Sequence, residues 1–121
     1  MTQRNNVIGA WGEEKTIEYL LAKDYLLLDR NWRRKLGEID IVALAPTGIV
    51  AFVEVKTRSS HRFGHPLEAI NHRKATRLEL LARAWMRESP IAKRSFRLDF
   101  SAIVGDGLNL HEIDYRIGSI Q

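Results

Sequence analysis

The sequence predicts an α/β fold, a mixed sheet flanked by helices, built by one domain over residues 1–121. Three observations predict it. Apolar residues recur at helical spacing in two stretches, near the start and past the middle of the chain. Runs of strand length, rich in Val, Ile, Leu and Phe, fill the intervals. Pro46-Thr47-Gly48 and Gly105-Asp106-Gly107 separate pairs of those runs as turns. A chain of 121 residues suits a single domain and can bury a core without covalent or metal staples.

The first helix is expected over about Ile8 to Lys23, with Ala10, Ile17, Leu20 and Leu21 on one face. Glu13 falls on that same face, while Glu14 and Glu18 turn to its flank and to water. Three strands follow: Tyr25 to Trp32 around Leu26, Leu27 and Leu28, then Glu38 to Leu44 entered through Gly37, then Ile49 to Thr57 returning antiparallel. After a polar stretch from Arg58 to His65, Pro66 is placed to open a second helix reaching about Arg87. Its buried stripe is Ile70, Leu78, Leu81, Ala82 and Trp85, and Ser89-Pro90 ends it. Two last strands fit Phe96 to Val104 and Leu108 to Tyr115. The order is α-β-β-β-α-β-β, without repeats or low-complexity tracts.

Composition narrows the function. No cysteine is present, which excludes disulfides and thiolate metal sites. Any metal must be held by carboxylates, histidine or backbone oxygen, and such sets favour Mg²⁺ or Mn²⁺. Met1 to Asn6 is polar, and no apolar run approaches the roughly 20 residues of a membrane span, so a cytoplasmic protein is expected. The formal charge is +4, but Thr57 to Arg97 alone holds 10 Lys/Arg against 3 Glu. Such segregation is expected of a basic face that meets a phosphate backbone, or of a solvated helix surface.

The residues that could carry chemistry are Asp40, Glu54 and Lys56. Alternation along a strand puts Glu54 and Lys56 on one face with Val53 and Val55 on the other, and puts Glu38 with Asp40, opposite Ile39 and Ile41. A turn at Pro46 to Gly48 brings Asp40 within about two residues of register with Glu54 and Lys56. Two carboxylates on a partly buried face repel each other and lose hydration; a divalent cation offsets both costs. Lys56 beside it is placed to orient water or to stabilise charge on a phosphate oxygen. Glu13 has two candidate partners, a shared metal or an arginine. Glu-x-Lys alone is a common solvated strand face; Asp40 in the preceding strand is what separates this sequence from that pattern.

Several ordered motifs carry a resemblance over nearly the whole chain: Gly9-x-x-Gly12-Glu13, Arg30-Asn31, Gly37-Glu38-Ile39-Asp40-Ile41-Val42, Phe52-Val53-Glu54-Val55-Lys56-Thr57-Arg58, Phe63-Gly64-His65-Pro66, Lys74, and Arg97-Leu98-Asp99-Phe100. In these the chain resembles the YraN-type family of uncharacterised bacterial proteins, taken as predicted endonucleases related to Holliday-junction resolvases in the PD-(D/E)XK superfamily. The resemblance implies a restriction endonuclease-like αβββαβ core. It also implies metal binding by Asp40 and Glu54, catalysis by Asp40, Glu54 and Lys56, and a further metal ligand in Glu13. The backbone carbonyl of Val55 is an added candidate ligand. Ile39 stands where the superfamily label has proline.

The expected activity is divalent-metal-dependent hydrolysis of phosphodiester bonds in DNA, in structured or branched DNA by resemblance to resolvases, which also implies a homodimer. The alternatives are a non-cleaving nucleic-acid-binding accessory module in recombination or DNA uptake, and an RNA-processing nuclease. Arg58, Arg62, Arg73, Lys74 and Arg77 are the expected nucleic-acid contacts; Arg73 and Arg77, four apart, share a helix face. Phe63 is a candidate base stacker in the same loop as Arg62. His61, His65 and His72 lack a carboxylate at ligand spacing and are not read as ligands. Asp99 is expected to be a structural partner of a nearby basic residue.

Overall fold

The computed structural model describes residues 3–60, 71–91 and 93–121, with side chains in the first helix described from Val7 onward. Helix α1 (Gln3–Ala22) is followed by strands β1 (Leu26–Arg34), β2 (Gly37–Leu44) and β3 (Val50–Arg58), helix α2 (His72–Glu88), and strands β4 (Phe96–Gly105) and β5 (Leu110–Arg116). The strands form one sheet in sequence order. β1/β2, β2/β3 and β4/β5 pair antiparallel, and β3/β4 pair parallel. The parallel step is the one whose connection carries a helix, since parallel neighbours need a long crossover. The predicted α/β architecture with a mixed sheet between helices is therefore the observed one.

The sheet divides the core. On one side α2 lays Leu78, Leu81, Ala82, Trp85 and Met86 against Ile39, Val42, Val50, Phe52, Phe96 and Leu98. On the other, α1 lays Ile17 and Leu20 against Ile41, Ala43, Ala51 and Val53. The central strands are thus covered on both faces, which is why their sequences read as nearly continuous apolar runs.

Local chemistry sets the boundaries. The turn between β2 and β3 closes through Gly48 N–H on Ala45 O (2.8 Å) and Ala45 N–H on Ile49 O (2.9 Å), with Gly48 at φ +89°. Asp106 turns the last hairpin: its carboxylate accepts the N–H groups of Asn109 (2.7 Å) and Leu108 (2.8 Å). These bonds hold its pKa down at about 2.

Three expectations are corrected. The second helix starts at His72, because Asn71 is its N-cap, with extended backbone and its side chain accepting Lys74 N–H at 3.0 Å. Pro66 and Ile70, assigned to that helix from the sequence, lie outside the described residues. In α1 the buried face is Thr16, Ile17 and Leu20, with Thr16 hydrogen-bonded to Ser101 of β4, which leaves Ala10 exposed and Leu21 half exposed. Leu26, Leu27 and Leu28 are exposed on an edge strand instead of forming a strand centre. Among the described residues, no helix is long and apolar enough to cross a membrane.

Candidate functional site

The site lies where β2 and β3 part. Their ladder runs from Leu44↔Val50 to Ile41↔Val53 and stops. One residue further on, the Asp40 carboxylate takes over as acceptor, and Val55 N–H donates to its Oδ2 at 2.8 Å. The strands then separate, and the alternation expected from the sequence fails at the same place. Ile39 packs in the α2-side core and Ile41 in the α1-side core, although strict alternation puts both on one face. The chain twists through Asp40, so its carboxylate looks into the opening between the strands.

Three elements deliver acids to that opening. Glu13 comes from α1, and Glu38 and Asp40 from β2; one carboxylate oxygen of each lies within 4.8 Å of the others. Glu13 reaches so far because α1 runs very close to β3 at the preceding residue. A Cβ built on Gly12 would lie 1.8 Å from Thr57 Oγ1, so only glycine permits this approach. Asn31 braces two of the acids. Its backbone is left-handed (φ +52°), and its Nδ2 donates to Glu13 Oε1 (3.0 Å) and Glu38 Oε1 (2.9 Å). Arginines hold the outer edge: Arg33 Nε lies 2.6 Å from Glu38 Oε2, and Arg30 Nε lies 3.9 Å from Glu13 Oε1. Of the two partners foreseen for Glu13, the arginine is there as a distant contact, and the acids with which a metal would be shared converge on it.

Glu54 and Lys56 share the α2-side face of β3, since Val53 and Val55 pack toward α1. Glu54 stands outside the convergent trio but acts on it electrically, its charge raising the Asp40 pKa. Arg77 and Lys74 of α2 are the cations that act on Glu54. Arg77 also packs along Gly37 at the entry to β2. Lys74 is half-buried, while Arg73 and His72 are exposed on the first turn of α2. Arg58 ends β3 half-buried, its Nε without a hydrogen-bond partner among the described residues. Arg62, His61, Phe63 and His65 lie outside the described residues.

The electrostatics of this corner suit a cation. Burial, and then the charge of Glu54, push the Asp40 carboxyl up to about 8 against the opposing Val55 N–H; Glu13 and Glu38 raise it further. Glu13 is raised by burial against the Asn31 hydrogen bond, and Glu54 by burial against Arg77 and Lys74. Acids that raise one another in a half-buried corner are stabilised by a shared divalent ion. The donor atoms are carboxylate oxygens, the set that hard cations such as Mg²⁺ or Mn²⁺ take. The residues present fit such an ion.

Two members were missed in the sequence. Glu38 was placed beside Asp40 and given no role, and Asn31 was seen only as part of a motif. The signal for Glu38 was its spacing of two from Asp40. For Asn31 it was an amide residue, tolerant of left-handed backbone, interrupting a strand. Asp99, expected to pair with a basic residue, does so with Arg97 (3.0 Å) away from the acids.

Fold and site together define an α/β protein with a restriction endonuclease-like αβββαβ core and a group of acids able to hold a metal ion where its central hairpin opens. The model of the uncharacterised protein family UPF0102 matches residues 12–103, from the glycine that seats α1 into β4, and the chain belongs to that family. A UPF0102 protein of Alkaliphilus oremlandii is 40% identical over 117 residues, covering 97% of each chain. One from Arthrobacter sp. is 40% identical over 113 residues, 93% of this chain and 95% of the other. One from Beutenbergia cavernae is 43% identical over 99 residues, 82% and 83% of the two chains.

Proposed function

We propose that this protein is a divalent-metal-dependent DNA endonuclease that hydrolyses phosphodiester bonds, with structured or branched DNA as substrate. The observation that carries the reading is the convergence of Glu13, Glu38 and Asp40 within 4.8 Å at the mouth between β2 and β3, next to a strand bearing Glu54 and Lys56. Glu13, Glu38, Asp40 and Glu54 would hold the ion, with the Val55 carbonyl as a further oxygen. When bound, a divalent cation supplies positive charge to a phosphate and makes water more acidic. Val55 N–H fixes the orientation of Asp40. Lys56, two residues from Glu54 on the same strand, would orient the attacking water or stabilise the phosphate oxygen that gains charge. Arg58 at the end of β3 and Arg73, Lys74 and Arg77 in the first turns of α2 would receive the neighbouring phosphates. A homodimer belongs to the same reading, and sedimentation as a monomer at working concentration counts against it.

The test is cleavage of labelled four-way junction, linear duplex, single-stranded DNA and RNA, each with Mg²⁺, Mn²⁺ or chelator. Asp40→Asn and Lys56→Ala are run beside the natural chain. Metal-dependent cutting lost in both variants is the expected result, and the strand preferred names the substrate. Binding without cutting under every condition would sink the enzyme and leave a nucleic-acid-binding accessory module.

A further inference from the structure

A second feature lies at the other end of α2. Between the last turns of that helix and the start of β4 is a cavity of about 360 Å³ whose lining includes Arg83, Arg87, Lys93, Arg94, Phe96 and Gln121, with no acidic side chain among its described lining. Arg94 is held by a neutral group, so its charge stays available. The Arg83 guanidinium sits 5.3 Å over the Phe96 ring, and Arg94 Nη1 donates to the Gly48 carbonyl at 3.2 Å. Arg83 also meets Glu79 at 3.4 Å, a loose contact between half-exposed groups. The Glu79 carboxylate and the carbonyl end of α2 offset part of this charge, together about one and a half negative charges against four cations.

The position of the cavity gives it meaning. Arg73, Arg77, Arg83 and Arg87 are all exposed, on the side of α2 opposite Leu78, Leu81, Ala82 and Trp85. The tract begins at Arg73, beside the Lys74 and Arg77 that act on Glu54, and ends fourteen residues on at Arg87 in the cavity. Fourteen residues of helix span roughly 21 Å. At about 3.4 Å per base pair along one strand, that is roughly six base pairs of duplex.

We infer that the cavity between the C-terminal end of α2 and the N-terminal end of β4 binds a backbone phosphate of nucleic acid, so that one duplex arm of the substrate lies along α2, about six base pairs long between the acids and this anchor. This rests on the reading of the chain as nucleic-acid-binding, and names the substrate feature that the site demands. Arms too short to reach the cavity lose the contact.

The experiment is binding by fluorescence anisotropy in chelator, where no cutting interferes, of duplexes of 4 and 16 base pairs across a salt series. Arg87→Gln/Lys93→Gln is compared with the charge-matched control Lys15→Gln/Arg116→Gln on other surfaces. Arg94→Gln is added as a separate variant because it also loses its bond to Gly48. The expected result is about tenfold weaker binding of the long duplex and a salt slope shallower by about two, with the short duplex and the control unaffected. Equal losses in the cavity variant and the control overturn the inference, as does unchanged affinity in the cavity variant. So does saturable binding of a 5′-mononucleotide that needs Arg87 and Lys93 while duplex affinity does not, which would make the cavity a site for a free phosphate ester. Cleavage by the natural chain with no effect of the cavity variant would leave the nuclease reading standing and this one refuted; the reverse pattern separates them the other way.

Discussion

The two faces of the sheet are built by different rules. On the α2 face, Phe52 meets Trp85 and Phe96 edge-on, each at 5.5 Å, and Leu78 and Leu81 fill the space around them. On the α1 face the strands contribute Ala43 and Ala51 where the other face has Phe52, and much of what is buried is polar. Thr16 and Ser101 share a hydrogen bond at 2.8 Å. Arg97 grips Asp99 and Tyr25, Asp99 accepts from Tyr115 (2.6 Å) and from Gly118 N–H (3.0 Å), and the network ties the end of the chain to β4. The difference has a consequence for chemistry. Large side chains hold a helix away from a sheet; small ones let it settle close. The α2 face supplies cohesion, and the α1 face supplies proximity, which is what Glu13 needs to reach Asp40.

The largest effect should come from the cohesive face. Phe52 is fully buried and meets the rings of Trp85 and Phe96, so Phe52→Ala should cost about 3–5 kcal/mol in chemical denaturation. A loss below about 1 kcal/mol would mean that the α2 face is not the main store of stability. On the opposite face, Asp99→Ala should cost about 3 kcal/mol, since it strands the Arg97 charge and unpairs Tyr115. Replacing the pair together, Arg97→Met with Asp99→Leu, should recover most of that loss, because a buried ion pair gains little over apolar packing. Equal losses in the single and the double variant would show that the network stabilises rather than merely satisfies its charges.

How far the sequence reveals these faces follows from which forces are local. Strand positions are legible because alternation, turn glycines and β-branched runs act within a few residues; four of the five strands begin within one residue of expectation. The hairpin register is legible for the same reason, and it brings Asp40 to Val55 and Glu54. What is not legible depends on partners far along the chain. Glu38 joins the acids only because Asn31, from another strand, adopts a left-handed backbone and holds it against Glu13. The rotation of α1 away from Leu21 depends on which sheet face receives it, and the exposure of Leu26 to Leu28 depends on strand order. Asn71 is a capping residue in plain view, but Pro66 offered an equally local start to the same helix.

A smaller effect separates the faces by pH. Asp40 stands between them, its carboxyl raised from 3.8 to about 8 by burial and by the neighbouring acids. A carboxyl raised on folding favours the protonated folded state. Its contribution is complete below about pH 4 and is lost as pH climbs through 8. In chelator the melting temperature should therefore fall between pH 5 and pH 8.5. The decline corresponds to about 2–3 kcal/mol, less than the whole shift implies because Glu13 and Glu54 share the repulsion. Asp40→Asn, which keeps an acceptor for Val55 N–H, should flatten that slope, and Mn²⁺ should reverse it in the natural chain. A slope unchanged by Asp40→Asn would place the titration elsewhere.

The finest test is of proximity itself. Alanine is the better helix former, so Gly12→Ala in an unconstrained helix would gain up to about 1 kcal/mol. Here the new methyl meets Thr57 Oγ1 at 1.8 Å and Thr57 Cβ at 3.0 Å, and β3 is held in the middle of the sheet, so α1 must lift. The net result should be a loss of about 1–2 kcal/mol. Glu13 sits one residue on and should retreat from Asp40 as the helix moves. Mn²⁺ affinity by calorimetry should then drop by about tenfold, the scale on which displaced ligand supports act. Thr57→Ala in the same chain removes the nearest atom and should return part of both losses. If Gly12→Ala keeps its Mn²⁺ affinity while losing stability, Glu13 does not depend on the close approach of the helix, and the small residues of the α1 face are there for packing alone.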